Sequence, residues 1–125
     1  MASLPDLSAF DPVELLSTIE RFEARQSLAA YVSYTGSDYR PARHHSLWIS
    51  KLEAVERGEC RRLMGMMPPG SAKTFWTSEK FPAWYLGRNP RDSVIACGHT
   101  QELADRSGRR VLRCWRARQP TGQAR

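Results

Sequence analysis

The chain has 125 residues, of which 41% are hydrophobic and 26% charged, with a net charge of +6. This length suits one domain, and the four Trp, four Tyr and four Phe can fill its core. The N-terminus is acidic and no apolar run approaches the roughly 20 residues that a bilayer needs, so we expect a soluble, cytoplasmic protein without a secretory signal or membrane span. Three separated cysteines without a CxxC spacing support neither a disulfide framework nor a zinc site: Cys60, Cys97 and Cys114.

Charge is distributed unevenly along the chain. Residues 1–60 hold six Lys or Arg against nine Asp or Glu, whereas residues 61–125 hold thirteen against four. Residues 106–125 carry seven Arg and no acid. Such a run attracts phosphate backbones. The alternative is an unstructured, solvated end of the chain.

The first predicted helix is "DPVELLSTIERFEARQSLAAYV". Asp11 can cap it, Pro12 suits the first helical position, and Glu14 follows three residues after the cap. Leu15, Ile19 and Phe22 recur at helical spacing and form one apolar stripe.

A loop with Gly36 and Pro41 leads to a second predicted helix, "HSLWISKLEAVERG". Trp48, Leu52 and Val55 share one face of this helix, and Gly58 is placed to end it.

The middle of the chain predicts a strand and then a helix. "CRRLMGMMPP" is a short apolar run that a proline pair bounds, which indicates a buried strand in which Gly65 is unfavourable. "AKTFWTSEKFPAWYLG" is typical of a helix that Pro82 must end or kink, and Glu79 and Lys80 interrupt its apolar face.

The last elements predict the fold class. "NPRD" is a turn, "SVIACGHT" a second strand and "QELADRSGRRVLRCW" a helix that Gly108 weakens. The predicted order is strand, loop, helix, turn, strand and helix. This is the order of a βαβ unit, which requires a parallel sheet covered by helices. We therefore predict an α/β fold: a parallel sheet flanked by helices, after an N-terminal helical segment.

The stretch "MMPPGSAKTF" lies between the predicted strand and helix, where phosphate loops occur. Small residues in such a loop let backbone amides approach an anion. A lysine then reaches the oxygens of the β and γ phosphates, and the hydroxyl of the residue after the lysine binds Mg²⁺. The strict pattern G-x-x-x-x-G-K-[ST] is not met, since Met67 and Ala72 occupy the glycine positions. These residues leave two interpretations open. One is a functional phosphate-binding loop, and the other is a proline-bounded turn with a surface lysine.

Residues 40–111 resemble the N-terminal ATPase region of the large terminase subunit of tailed bacteriophages and prophages. The most specific parts are "MPPGSAK", "FPAWYLGRNP" and "HTQELA". The resemblance implies a P-loop, additional-strand ATPase fold that drives DNA packaging with ATP and Mg²⁺. It also implies a nucleotide-binding (Walker A) loop in which the hydroxyl of Thr74 binds Mg²⁺. The loop residues are Gly70, Ser71, Ala72, Lys73 and Thr74.

The resemblance extends weaker roles to four further residues. Arg43 and His45 match a segment in which the family places an adenine contact, and a polar helix start is the alternative. His99 and Thr100 match a strand end beside the nucleotide, and capping of the next helix is the alternative. An arginine that some members carry in the loop is replaced by Gly70 or Ser71, so an arginine finger would come from elsewhere.

The acidic residues that such an ATPase and its nuclease domain need are missing, because no Asp or Glu follows Asp105. We therefore expect no catalytic residue and a truncated chain of marginal stability. The predicted organisation is an N-terminal helical segment (1–39), a partial ATPase domain (40–112) and a basic tail (113–125) that is disordered or out of frame.

The resulting functional prediction is the ATP-binding fragment of a DNA-packaging motor in a bacterial host. By resemblance, its partners are double-stranded phage DNA, the small terminase subunit and the portal. The alternative is a small basic nucleic-acid-binding protein that uses Arg109, Arg110 and Arg113 of the C-terminal run. A helicase of related fold is a third hypothesis.

Overall fold

The computed structural model describes residues 11–36 and 39–116, and every regular element within them is helical. Residues 1–10 of the predicted N-terminal segment and residues 117–125 of the predicted tail lie outside the described residues. The helices are α1 (Pro12–Gln26), α2 (Leu28–Tyr34), α3 (Arg43–Glu56), a π-helical segment (Phe75–Lys80), α4 (Phe81–Arg88) and α5 (Gln101–Arg116). None of these helices is both long and apolar enough to cross a bilayer.

The predicted α/β fold with a parallel sheet is wrong for this part of the chain. Residues 62–68 and 92–98, where the two strands were predicted, have no regular secondary structure. A strand needs a neighbouring strand to pair with its backbone amides and carbonyls. The first segment packs on α3 instead, where a Cβ built on Gly65 would lie 2.2 Å from the ring of Trp48. The second segment is exposed, with Ile95 89% accessible.

The predicted first helix forms as two helices. Its start is confirmed, because Asp11 Oδ1 accepts the Val13 amide at 3.0 Å. The helix breaks at Ser27, whose hydroxyl caps α2 by accepting the Ala29 amide at 3.2 Å. The predicted apolar stripe of α1 lies at the surface, with Phe22 64% exposed.

Helix α3 begins two residues earlier than the sequence indicates and ends as predicted. Gly58 has φ +77°, and its amide donates to the Val55 carbonyl at 3.1 Å. This left-handed conformation favours glycine, so the predicted end of the helix is confirmed.

The core lies where α2, α3, the π-helical segment and α4 meet. Two buried indoles have hydrogen-bond partners, since Trp84 Nε1 donates to the Ala24 carbonyl at 3.1 Å and Trp48 Nε1 to Thr77 Oγ1 at 2.9 Å. The buried apolar residues are Ala24, Leu28, Tyr31, Val32, Trp48, Ile49, Leu52, Trp76, Ala83 and Trp84.

The predicted helix around Pro82 forms with a π-helical first half. The Phe81 amide donates to the carbonyl of Trp76, five residues earlier, and Pro82 then occupies the second position of α4. Proline lacks an amide hydrogen and crowds the carbonyl four residues before it in an α-helix, so a wider turn at this point lets the helix continue. Glu79 and Lys80 do not interrupt a buried face; both are themselves buried.

The predicted turn and last helix are also present. The Asp92 amide donates to the Asn89 carbonyl at 3.1 Å, and α5 follows. Helix α5 continues to Arg116, so the domain boundary predicted at residue 112 falls inside it.

Candidate functional site

The loop of residues 68–72 connects the irregular residues 62–67 to the helical turn that begins at Lys73 and continues into the π-helical segment. The Ser71 amide donates to the Pro68 carbonyl at 3.3 Å, and Gly70 has φ +82°. Pro69 and Gly70 thus take the two central positions of a tight turn, in the order that a type II turn requires.

Ala72 provides the second left-handed conformation of the loop, with φ +55°. Its carbonyl accepts the Trp76 amide at 3.1 Å, which is the first hydrogen bond of the helix. The amides of Lys73, Thr74 and Phe75 therefore have no acceptor within the helix. Unpaired amides at a helix start attract anions, and the exposed side chains of Lys73 and Thr74 lie beside them.

His45 fixes the loop to the first turn of α3. Its Nδ1 accepts the Ala42 amide at 3.0 Å, so the ring hydrogen is on Nε2. This Nε2 donates to the Ser71 carbonyl at 3.0 Å and lies 3.2 Å from the Tyr39 hydroxyl. His45 is only 5% exposed. The structure thus gives His45 a positioning contact with the loop, and the adenine contact stays a prediction.

Aromatic side chains pack beneath the loop. Tyr39 has its ring 5.1 Å from that of Phe75 and 5.7 Å from that of Trp76. Trp76 is completely buried, and its Nε1 has no hydrogen-bond partner in the described part of the chain. The buried Ser71 hydroxyl is unpaired there as well. These contacts hold the first turn of the helix in place under the loop.

A groove of about 560 Å³ adjoins the loop at Pro68 and Ser71. It lies between α3 and residues 63–71, and its volume is within the range of small-molecule sites. The lining residues are His44, Leu47, Trp48, Lys51, Leu63, Met64, Met67, Pro68 and Ser71. The residue pattern does not predict this groove, because it forms only when residues 63–71 pack on α3.

The other predicted site residues lie elsewhere. Arg43 is exposed at the start of α3, and His99 is exposed before α5. Thr100 caps α5, since its Oγ1 accepts the Leu103 amide at 3.3 Å. For Thr100 the capping alternative is thus the one observed. No group of three or more His, Cys, Asp or Glu that could hold a metal ion occurs among residues 11–36 and 39–116.

The three arginines predicted to contact nucleic acid do not form one group. Arg110 is ion-paired with Glu79, which is 8% exposed. Arg109 and Arg113 are exposed and form no ion pair in the described part of the chain. The structure therefore separates Arg110, which holds α5 to the π-helical segment, from the other two.

No protein-family model, curated protein or solved structure matches the chain.

Proposed function

We propose that the chain is an N-terminal fragment of a terminase large subunit, the ATP-binding part of a phage DNA-packaging motor. Residues 70–74 bind the phosphates of Mg-ATP. The resemblance of residues 40–111 supports the family, and the geometry of the loop supports the site. The proposal depends mainly on one observation: Gly70 and Ala72, both with positive φ, lead directly into a helix start whose first amides have no acceptor within the helix.

The residues of the loop suit a polyphosphate. The Ser71 amide is used in the turn, so the amides available to an anion are those of the first helical residues. Lys73 adds a mobile positive charge, and Thr74 offers one hydroxyl ligand for Mg²⁺, which takes its other ligands from phosphate and water. Binding at a helix start depends on these local groups and requires no sheet.

ATP binding is the activity proposed for these residues. Double-stranded phage DNA, the small terminase subunit and the portal are the partners that the resemblance implies, and the cytoplasm of a bacterial host is the location. Co-purification of the tagged chain with these proteins during phage growth tests the partners.

Calorimetric titration of the chain with ATP and Mg²⁺ tests the site. We expect Lys73→Ala to weaken binding at least tenfold, because it removes the charge beside the free amides. Thr74→Ala should reduce the gain in affinity that Mg²⁺ gives. Arg57→Ala is the control, since Arg57 is an exposed cation paired with Glu59 beyond the end of α3. Equal affinity in Lys73→Ala and the wild type would remove the phosphate-loop assignment.

A further inference from the structure

Four arginines form a stripe along α5: Arg106, Arg109, Arg113 and Arg116. All four are exposed. Their spacing of three, four and three residues places them within an arc of about 80° and along about 15 Å of the helix, given 3.6 residues per turn and 1.5 Å per residue. We call this set the arginine stripe.

The opposite face of α5 is packed against the rest of the molecule, which fixes the direction of the stripe. Val111 and Cys114 pack on the core, and Lys80 Nζ lies 3.5 Å from Cys114 Sγ. Arg110 is ion-paired with Glu79 on this face. The stripe therefore points away from the π-helical segment and α4.

In the described part of the chain, none of the four arginines of the stripe forms an ion pair or a hydrogen bond. Its members are helix neighbours at i,i+3 and i,i+4, where like charges repel and destabilise a helix. The two acids of α5, Glu102 and Asp105, lie four residues before Arg106 and Arg109 and so beside the first half of the stripe, whereas α5 has no acid one turn before Arg113 or Arg116. The last-turn arginines Arg113 and Arg116 complement the helix dipole, but Arg106 and Arg109 are too far from the C-terminus for that role.

We propose that the arginine stripe binds the sugar–phosphate backbone of double-stranded nucleic acid without reading its sequence. One strand of a duplex presents a phosphate about every 3.4 Å of axis, so about 15 Å matches about four phosphates. Guanidinium groups bind phosphate through paired N–H donors. This surface is separate from the loop of residues 70–74 and does not depend on nucleotide binding there.

The structure favours a duplex over a membrane surface. An interfacial helix inserts one continuous apolar face, and the face of α5 with Val111 and Cys114 is already packed. Of its exposed apolar side chains, Leu112 and Trp115 are neighbours, but Leu103 lies on the opposite side of the helix from Leu112, so the three do not form one continuous face. With a single aromatic residue near the stripe, base stacking on a single strand is also disfavoured.

The test is the salt dependence of duplex binding by the full chain. Fluorescence anisotropy with a labelled 24-base-pair DNA of arbitrary sequence, and with the same sequence as RNA, is measured from about 50 to 300 mM NaCl. Each stripe substitution, Arg109→Gln or Arg113→Gln, should reduce the slope of log affinity against log salt by about 0.9. The double variant should reduce it by about 1.8 and bind at least tenfold more weakly at 100 mM NaCl. Equal loss on DNA and RNA indicates backbone recognition common to both; loss on one alone assigns the surface to that duplex.

Controls separate the stripe from general charge, folding and the loop. Arg57→Gln, a cation outside α5, should leave the slope unchanged, and so should Lys73→Ala. Helicity by circular dichroism should match the wild type in every variant. An unchanged slope in the double variant, or an equal change in Arg57→Gln, overturns the proposal. Stronger binding to vesicles with 30% phosphatidylserine, or equal competition by polyglutamate, also overturns it in favour of a membrane or an acidic protein.

Discussion

The imidazole of His45 connects the first turn of α3 to the loop that precedes Lys73, because its Nε2 donates to the Ser71 carbonyl at 3.0 Å. The other ring nitrogen accepts the Ala42 amide at 3.0 Å. One neutral side chain thus satisfies a helix-start amide and a loop carbonyl. This contact gives the loop a fixed position relative to α3, on which both the proposed phosphate site and the adjoining groove depend.

We predict that His45→Ala destabilises the protein by about 1–3 kcal/mol, because the Ala42 amide and the Ser71 carbonyl both lose a part-buried hydrogen bond. Its Mg-ATP affinity should also fall, since the loop is no longer held. Ser50→Ala is the matched control: Ser50 is exposed on the same helix, and its loss should change stability by about 0.5 kcal/mol or less. Urea denaturation measures both, and equal stability of the two variants would contradict the positioning role of His45.

Two glycine substitutions should have opposite signs. Gly70→Ala should destabilise by about 1–2 kcal/mol, because φ +82° is unfavourable for a residue with a Cβ. Gly108→Ala should stabilise by about 0.5–1 kcal/mol, since Gly108 lies within α5 and a Cβ there meets nothing within 4 Å. Thermal denaturation of the two variants measures the difference. A stabilising Gly70→Ala would mean that the turn differs from the one described.

Gly65→Ala distinguishes the observed packing from the predicted strand. In a strand interior, alanine would be tolerated or favourable, since glycine weakens strands. In the structure a Cβ would overlap the Trp48 ring at 2.2 Å, so we expect a loss of about 1–3 kcal/mol from overpacking. Met66→Ala, at an 89% exposed neighbour, should have little effect. The comparison is made by urea denaturation with Trp fluorescence, and a neutral Gly65→Ala would argue against the Trp48 contact.

Substitution of two adjacent arginines of α5, Arg109 and Arg110, should have different effects: one should weaken duplex binding and the other should lower the stability of the protein. Arg110→Gln should destabilise by about 1–3 kcal/mol, because it leaves the buried Glu79 carboxylate without its partner. Arg109→Gln should change stability by about 0.5 kcal/mol or less and lower the salt slope of duplex binding. In Arg110→Gln/Glu79→Gln the loss should be partly recovered. The same stability for both single variants would mean that the ion pair does not hold α5.

The hydroxyl of Tyr85 should lose its proton at a higher pH than an ordinary tyrosine hydroxyl. It donates to Asp92 Oδ2 at 2.7 Å, and this hydrogen bond, with lesser burial and charge effects, raises the pKa of Tyr85 above its ordinary 10.0. The raised pKa contributes stability that is complete below pH 10 and is lost as the pH rises through the folded pKa. Asp92→Ala should therefore move one tyrosine midpoint down in a titration at 295 nm. Asp105→Ala, at a carboxylate bonded to Gln101, is the control and should move none.

Local chemistry in the sequence was sufficient to predict several helix boundaries and turns. Asp11 starts α1, Gly58 ends α3, Thr100 caps α5, and the turn at residues 89–92 forms as expected. Each of these depends on side chains and backbone angles a few residues apart, which a sequence displays directly. The position of Lys73 and Thr74 at a helix start was predicted for the same reason.

Tertiary packing decided the fold class and the arrangement of the site. An apolar extended run becomes a strand only when another strand pairs with it; here Gly65 lies against Trp48 and the segment around Ile95 stays exposed. Burial of Glu79 depends on Arg110, 31 residues later, and the support of the loop by His45 spans 26 residues. Such contacts depend on how helices dock, and a residue pattern within one segment does not contain that information, whereas the caps and turns depend only on neighbouring residues.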